Sequence, residues 1–167
     1  MNGDRMNTRK MIFMTMFVAI AVAGSAFVSF PAGIARAYPI QHTVNVIVAI
    51  VMGPGAAVVV AFMTGLVRIL TGTGSLLAFP GGMIGAFLAG VLYRRFKKNW
   101  STGIGEVIGT GLIAPLFAVP YAKILMGTTV TALFFLPPFL VSTVSGTIIG
   151  LLLAPRLLKL KIFRDLQ

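Results

Sequence analysis

The chain has 167 residues, of which 57% are hydrophobic and only 10% charged, and its formal net charge is +11. A soluble domain of this length could not bury so much apolar surface, so we expect a membrane protein. The absence of cysteine excludes a disulfide framework, a thiolate metal site and a cysteine nucleophile. The cations fall in short clusters between apolar runs, which is typical of topology signals rather than of nucleic-acid binding.

Charges, glycines and prolines divide the sequence into six apolar segments, which predict a single all-α domain over residues 1–167 with six transmembrane helices. The predicted spans are 11–30, 40–52, 56–70, 76–93, 103–126 and 130–154. The second and third spans are short for a hydrocarbon core of ~30 Å, so they form either a full hairpin or a re-entrant pair. In both cases the chain returns to the side on which it entered.

The distribution of cations predicts the orientation. Only Arg36, Arg68 and Lys123 lie at the end opposite to the termini. The remaining cations lie on the side of both termini: Arg5, Arg9, Lys10, Arg94, Arg95, Lys97, Lys98, Arg156, Lys159, Lys161 and Arg164. By the positive-inside rule, the basic segments 1–10 and 155–167 are expected in the cytoplasm and the chain in the plasma membrane.

An alternative for the first span is a cleaved signal peptide, because basic residues precede it and Ala35-Arg36-Ala37 resembles a cleavage site. The apolar run 11–30 is longer than the ~7–15 residues of a signal-peptide core. Its removal would also leave five spans and a topology at odds with the cations. We therefore expect the segment to remain as the first span.

Small residues spaced four apart predict close helix packing. They are Gly81, Gly85 and Ala89 in span four, Ser142, Gly146 and Gly150 in span six, and Ala19 and Ala23 in span one. Such stripes either pack helices of the same chain or form a surface for a second membrane subunit.

Two polar segments are candidates for a binding site. In the first, Gln41, His42 and Asn45 share one helical face at the start of span two and are expected to point into the bundle or a cavity. The alternative is a hydrogen-bond network between helices.

The second polar segment runs from Arg68 to Gly82. Gly72 and Gly74 are expected to turn the backbone sharply and expose N–H groups, beside Arg68 and the start of a helix at Pro80. The hydroxyls of the segment belong to Thr71, Thr73 and Ser75. It is either a binding loop for electron-rich ligand atoms or a tight loop with a snorkelling arginine.

Two residues of span five are also candidates. Glu106 lies ~8 Å from the inner end by helix rise, which favours a structural partner for the basic loop over a ligand contact. Tyr121, near the outer end beside Lys123, could stack on a flat ring or serve as an interface anchor.

Catalytic chemistry has few candidate groups. The acids are Asp4, Glu106 and Asp165, and His42 is the only histidine, so we predict no carboxylate pair, metal cluster or nucleophilic triad. A membrane enzyme would have to use Glu106 with His42, which the predicted topology places near opposite faces of the membrane. The chain also lacks a phosphate-binding loop for ATP, so energy must come from a partner or a gradient.

These segments resemble an S-component of the energy-coupling factor (ECF) transporters, specifically the ThiW group. The matching segments are 30–37, 38–45, Gly53-Pro54, 68–82 and 105–111, so the resemblance covers nearly the whole chain. The most specific piece is the Gly-Thr-Gly-Ser-Leu-Leu-Ala-Phe-Pro-Gly segment beginning at Gly72.

The resemblance implies a six-helix subunit that captures a vitamin or its precursor from outside and binds no cofactor of its own. Its implied partners are a transmembrane coupling subunit and two cytoplasmic ATPases, which use the ATP. The ThiW group implies hydroxyethylthiazole as the substrate. The Ala19-x-x-x-Ala23 stripe matches the docking motif of the family, which also implies that the subunit tips in the membrane to release substrate.

Other ligands and functions stay open at this point. Arg36, Arg68 and Lys123 would also suit a phosphorylated or carboxylated heterocycle. A non-catalytic membrane scaffold is a further alternative, which predicts no saturable binding of a small molecule and a pocket filled by side chains.

Overall fold

The computed structural model describes residues 2–33, 35–125, 127 and 131–166. The first half contains α1 (Asn2–Phe27), β1 (Phe30–Ala32), β2 (Ala35–Ala37), α2 (Pro39–Met52), α3 (Pro54–Leu70) and α4 (Ala78–Phe96). The second half contains α5 (Asn99–Glu106), a π-helical segment (Val107–Ile113), α6 (Ala114–Leu125), α7 (Ala132–Leu157) and α8 (Lys161–Arg164). The helical prediction is confirmed, and the short β-hairpin and α8 are additions to it.

Each predicted span coincides with a helix, although the bounds differ by several residues. The predicted end of span five at Met126 and start of span six at Val130 lie outside the described residues. Among the described helices, three are long and apolar enough to cross a bilayer: Thr8–Phe27, Asn99–Leu125 and Ala132–Leu157. The helices α2 and α3 are apolar but shorter, at about 21 and 26 Å by helix rise.

Helix α2 occupies the centre of the bundle. Every residue from Gln41 to Val51 is buried, and the helix packs against α1, α3, α4, α5 and α7. Apolar side chains of α2 join a core cluster with Phe17 of α1 and Val60 of α3. Since α2 is buried all round, its polar residues lie inside the protein, which confirms the inward orientation expected for Gln41, His42 and Asn45.

Glycines allow α4 to approach the helix that begins with α5. A Cβ atom added to Gly109 would lie 2.6 Å from the Cα atom of Gly85, and one added to Gly105 would lie 2.7 Å from the Cα atom of Ala89. Backbone atoms at this distance cannot yield without separating the two helices. The predicted small-residue stripe of span four therefore packs helices of the same chain.

Helix α1 presents two different faces. Phe17 and Ala21 are buried against the core, whereas Ala19 and Ala23 are exposed. Ala19 and Ala23 therefore have no packing role within the described part of the bundle.

The two ends of the chain meet at one end of the bundle. A side-chain nitrogen of Arg9 lies 3.9 Å from Oδ2 of Asp165, and Arg9 donates a 3.2 Å hydrogen bond to the carbonyl of Ile162. Met52, at the end of α2, packs in the same apolar cluster as Phe163. The turn between α2 and α3 thus lies near this end, so α3 carries the chain from there to the loop at the opposite end.

The hairpin of β1 and β2 lies at that opposite end. Its strands are antiparallel, with Phe30 opposite Ala37 and Ala32 opposite Ala35. Ala37 is fully buried, and the next residue, Tyr38, donates its N–H to Oγ of Ser142 on α7 at 3.0 Å. The segment considered as a cleavage site is therefore strand β2, which is packed onto the bundle.

Candidate functional site

A cavity of about 340 Å³ lies between the hairpin, the start of α2, the end of α3 and the start of α4. Its polar lining includes Tyr38, Gln41, His42, Arg68, Ser75 and Ser142. Phe135 and Phe139 of α7 supply an aromatic wall. The volume falls at the lower end of the range for small-molecule sites, and the lining combines apolar surface with a few convergent polar groups.

Arg68 is held at the cavity wall by neutral groups. It is only 3% exposed, and its guanidinium donates to Oε1 of Gln41 and, at 2.9 Å, to the carbonyl of Thr73. The guanidinium carbon lies 3.9 Å from the centre of the Tyr38 ring, within the range of a cation–π contact. The Nε atom is buried without a hydrogen-bond partner. Arg68 is therefore a buried cation at the cavity and not a snorkelling side chain.

The loop after α3 caps the C-terminal end of that helix. The N–H groups of Thr73 and Gly74 donate to the carbonyl of Arg68 at 2.8 and 2.9 Å, and the N–H of Gly72 donates to Ile69 at 3.0 Å. Gly72 has a φ of +70°, a conformation that favours glycine. The expectation that these glycines expose N–H groups for a ligand is wrong, because the groups satisfy the last carbonyls of α3.

The hydroxyl residues of the loop differ in whether they line the cavity. Thr71 donates to the carbonyl of Val67 at 2.9 Å and does not line the cavity. Gly72, Thr73, Gly74 and Ser75 do line it. The loop thus contributes part of the wall and fixes the position of Arg68.

His42 and Glu106 form a buried pair beneath the cavity. The distance between His42 Nδ1 and Glu106 Oε1 is 2.8 Å. The prediction that these residues lie near opposite faces of the membrane is wrong, as is the prediction that Glu106 serves the basic loop. Helix α2 ends at Met52, near the chain termini and about 15 Å from His42, and α5 starts at Asn99, about 10 Å from Glu106. Both side chains therefore reach the middle of the bundle.

Further hydrogen bonds hold Glu106 in place. Its Oε1 atom accepts from Nδ2 of Asn45 at 3.1 Å and lies 3.3 Å from Oγ1 of Thr110. The hydroxyl of Thr110 also donates to the carbonyl of Gly81 at 2.7 Å. The Oε2 atom of Glu106 is buried without a partner. His42 and Thr110 line the cavity, whereas Glu106 and Asn45 lie below and support them.

This arrangement determines which nitrogen of His42 is available to a ligand. A carboxylate only accepts hydrogen bonds, so Nδ1 carries the proton and donates to Glu106. The other nitrogen, Nε2, has no partner among the described residues. A neutral His42 therefore offers Nε2 as an acceptor to a hydroxyl group in the cavity.

Tyr121 is not brought to the cavity. It is half-buried and lines a separate apolar groove between α3, α4 and α6, together with Met83, Phe87 and Phe117. Lys123 is exposed. Within the described ranges, no group of three or more His, Asp or Glu residues is placed to hold a metal ion.

The structure adds cavity residues that the sequence did not single out for binding. The polar and aromatic ones are Tyr38, Thr110, Phe135, Phe139 and Ser142. Thr110 had a local signal, because it follows Glu106 by one helical turn and stands between two glycines. Ser142 belongs to a small-residue stripe and was predicted only to pack helices.

No curated protein matches the chain. A family model described as "Thiamine-precursor transporter protein (ThiW)" matches residues 11–160, which include every residue of the cavity and the His42–Glu106 pair. The chain belongs to the ThiW family of thiamine-precursor transporters.

Proposed function

We propose that this chain is the substrate-capture subunit of an ECF-type importer and that its cavity binds hydroxyethylthiazole. The observation that carries the proposal is the cavity itself, which a scaffold with a filled interior would lack. The aromatic wall of Phe135 and Phe139 suits the flat face of a heterocycle. Gln41, His42 and Arg68 on the other side suit its nitrogen and hydroxyl groups.

In the proposed topology the chain crosses the plasma membrane six times, and both termini lie in the cytoplasm. The support is the charge distribution, since Arg94, Lys98 and Arg156 belong with the basic end and Arg36 and Arg68 are at the cavity end. In this orientation the cavity faces outward, toward the incoming substrate.

The proposed partners are a transmembrane coupling subunit and two ATPases that hydrolyse ATP on the cytoplasmic side. The chain would bind no cofactor and would tip within the membrane to release its substrate. The exposed small residues Ala19 and Ala23 on α1 support a role of this face in docking to the coupling subunit, because small residues allow helices to approach closely.

Isothermal titration of hydroxyethylthiazole into the purified chain tests the proposal. We expect saturable binding that His42→Ala and Arg68→Ala each weaken about tenfold or more, because each removes a polar group of the cavity. Tyr121→Ala is the matched control, since Tyr121 lines a different groove, and it should bind as the wild type does. No binding by the folded wild-type protein would reject the thiazole and favour a scaffold.

The His42–Glu106 contact supports a second candidate, a membrane enzyme. An imidazole paired with a carboxylate is a common general-base arrangement. Mass spectrometry of hydroxyethylthiazole recovered after incubation with the protein separates the two functions. An unchanged ligand supports capture alone, whereas a product that disappears in His42→Ala would support the enzyme.

A further inference from the structure

Arg68 lacks a counter-ion within the described part of the protein. The acids of the chain are Asp4, Glu106 and Asp165. Asp165 pairs with Arg9, and Glu106 pairs with His42. Asp4 belongs to the first turns of α1, near the opposite end of the bundle. No carboxylate of the described side chains lies within 4.0 Å of Arg68, although this arginine is buried.

The neutral partners of Arg68 leave part of its bonding capacity unused. A guanidinium has five N–H donors. The protein provides acceptors at Gln41 and Thr73, whereas Nε has none. A buried charge is costly unless it is paired and hydrogen-bonded, so the free donors and the charge both require a partner.

The other charges at the cavity do not supply that partner. Arg36 lines the same cavity and is also a cation, bound to Oγ of Ser29 at 2.8 Å. Glu106 lies below the cavity, where its Oε1 atom accepts from His42 and Asn45, so Arg36 and Arg68 are the arginines of the lining and no acid of the described residues joins them there. The cavity is therefore positive.

We infer that the natural substrate carries an oxyanion, a phosphate ester or a carboxylate, that binds Arg68. The inference rests on the proposed capture function and replaces the neutral hydroxyethylthiazole by an anionic heterocycle as the natural substrate, with the ring against Phe135 and Phe139. An oxyanion would accept from the unused guanidinium donors and neutralise the buried charge, which a neutral alcohol cannot do.

The test compares three ligands on the whole chain in lipid nanodiscs at one ionic strength. They are hydroxyethylthiazole, its phosphate ester and 4-methylthiazole-5-carboxylate. At least one anion is expected to bind about tenfold or more tightly than the alcohol, since charge-assisted hydrogen bonds are stronger than neutral ones. Comparing the ester with the carboxylate identifies which oxyanion the site prefers.

Two variants assign the preference to Arg68. Arg68→Gln should bind the alcohol and the anions about equally, whereas Arg68→Lys should keep part of the preference because it keeps the charge. Arg36→Gln is the matched control, since it removes an exposed cation at the same cavity, and it should change the preference less.

Each outcome decides between the hypotheses. Equal binding of the alcohol and the anions by the wild type, or an anion preference that survives in folded Arg68→Gln, overturns the oxyanion inference and leaves the proposed function intact. If none of the three ligands binds, the proposed function fails as well. If Arg68→Gln does not fold, Arg68→Lys decides, because an anion preference that is unchanged when the guanidinium is replaced by an ammonium would overturn the inference.

Discussion

Glu106 fixes His42 from below the cavity, through a 2.8 Å contact between Oε1 of the carboxylate and Nδ1 of the imidazole. This contact joins the central helix α2 to the end of α5, next to the π-helical segment. Since His42 lines the cavity and Glu106 does not, the acid acts on a ligand only through the orientation of the histidine.

The first prediction concerns stability. Glu106→Ala leaves Nδ1 of the buried His42 without its acceptor, which should lower the free energy of unfolding by about 1–3 kcal/mol, and it removes one of the two acceptors of Asn45, which keeps the carbonyl of Gly82. Glu106→Gln keeps an Oε1 acceptor and should lose less. Thermal unfolding in detergent measures both. Unfolding of Glu106→Ala at the wild-type temperature would show that the network does not stabilise the bundle.

The second prediction uses two neighbouring glycines at the cavity. A Cβ atom added to Gly82 would lie 2.9 Å from Nε2 of Gln41, so Gly82→Ala should displace Gln41 from Arg68 and weaken ligand binding about tenfold. Gly81→Ala is the control, because its Cβ would meet the Phe139 ring at 3.6 Å, an ordinary contact. Titration of both variants checks this, and equal losses of affinity would contradict the proposed role of Gln41.

The third prediction concerns orientation. The chain has no cysteine, so single cysteines report accessibility without a background. In intact cells, a membrane-impermeant maleimide should label Ser75→Cys and should not label Lys98→Cys until the cells are opened. Both positions are exposed, at opposite ends of the bundle. The reverse labelling pattern would place the cavity on the cytoplasmic side.

The fourth prediction concerns docking. Ala19→Phe should leave ligand binding by the isolated chain unchanged, because Ala19 is exposed and distant from the cavity lining. It should abolish uptake driven by the proposed coupling subunit and ATPases. The matched control is Val144→Phe, which enlarges a side chain that is 41% exposed on α7. Uptake lost equally in both variants would argue against a specific role for the Ala19 face.

Much of the helical framework could be predicted from the sequence, because the length of each apolar run and the Pro and Gly residues that end it are local signals. The inward orientation of Gln41, His42 and Asn45 followed from the cost of exposing polar groups to lipid. The small residues of α4 were predicted to pack closely, and the contact of Gly85 with Gly109 confirms it.

The site was harder to predict because it depends on depth. To predict the contact between His42 and Glu106, one must know the depth in the bundle at which α2 begins. The folded hairpin between α1 and α2 sets this depth, and the hydropathy gave no sign of the hairpin. The N–H groups of the loop cap the last carbonyls of α3, and this depends on the path of the backbone after Arg68, which the sequence does not define. Tyr121 faces a different groove because the rotation of α6 follows the π-helical segment, and spacing alone gives no sign of it.

The central claim is that the cavity beside Arg68 holds the substrate, and ligand protection of a single cysteine tests it most directly. Ser75 lines the cavity, whereas Thr71 is exposed nearby and does not line it. We predict that saturating ligand, either hydroxyethylthiazole or its phosphate ester, slows maleimide labelling of Ser75→Cys and leaves labelling of Thr71→Cys unchanged. Equal labelling rates of Ser75→Cys with and without a ligand shown to bind would place the substrate elsewhere and contradict the account.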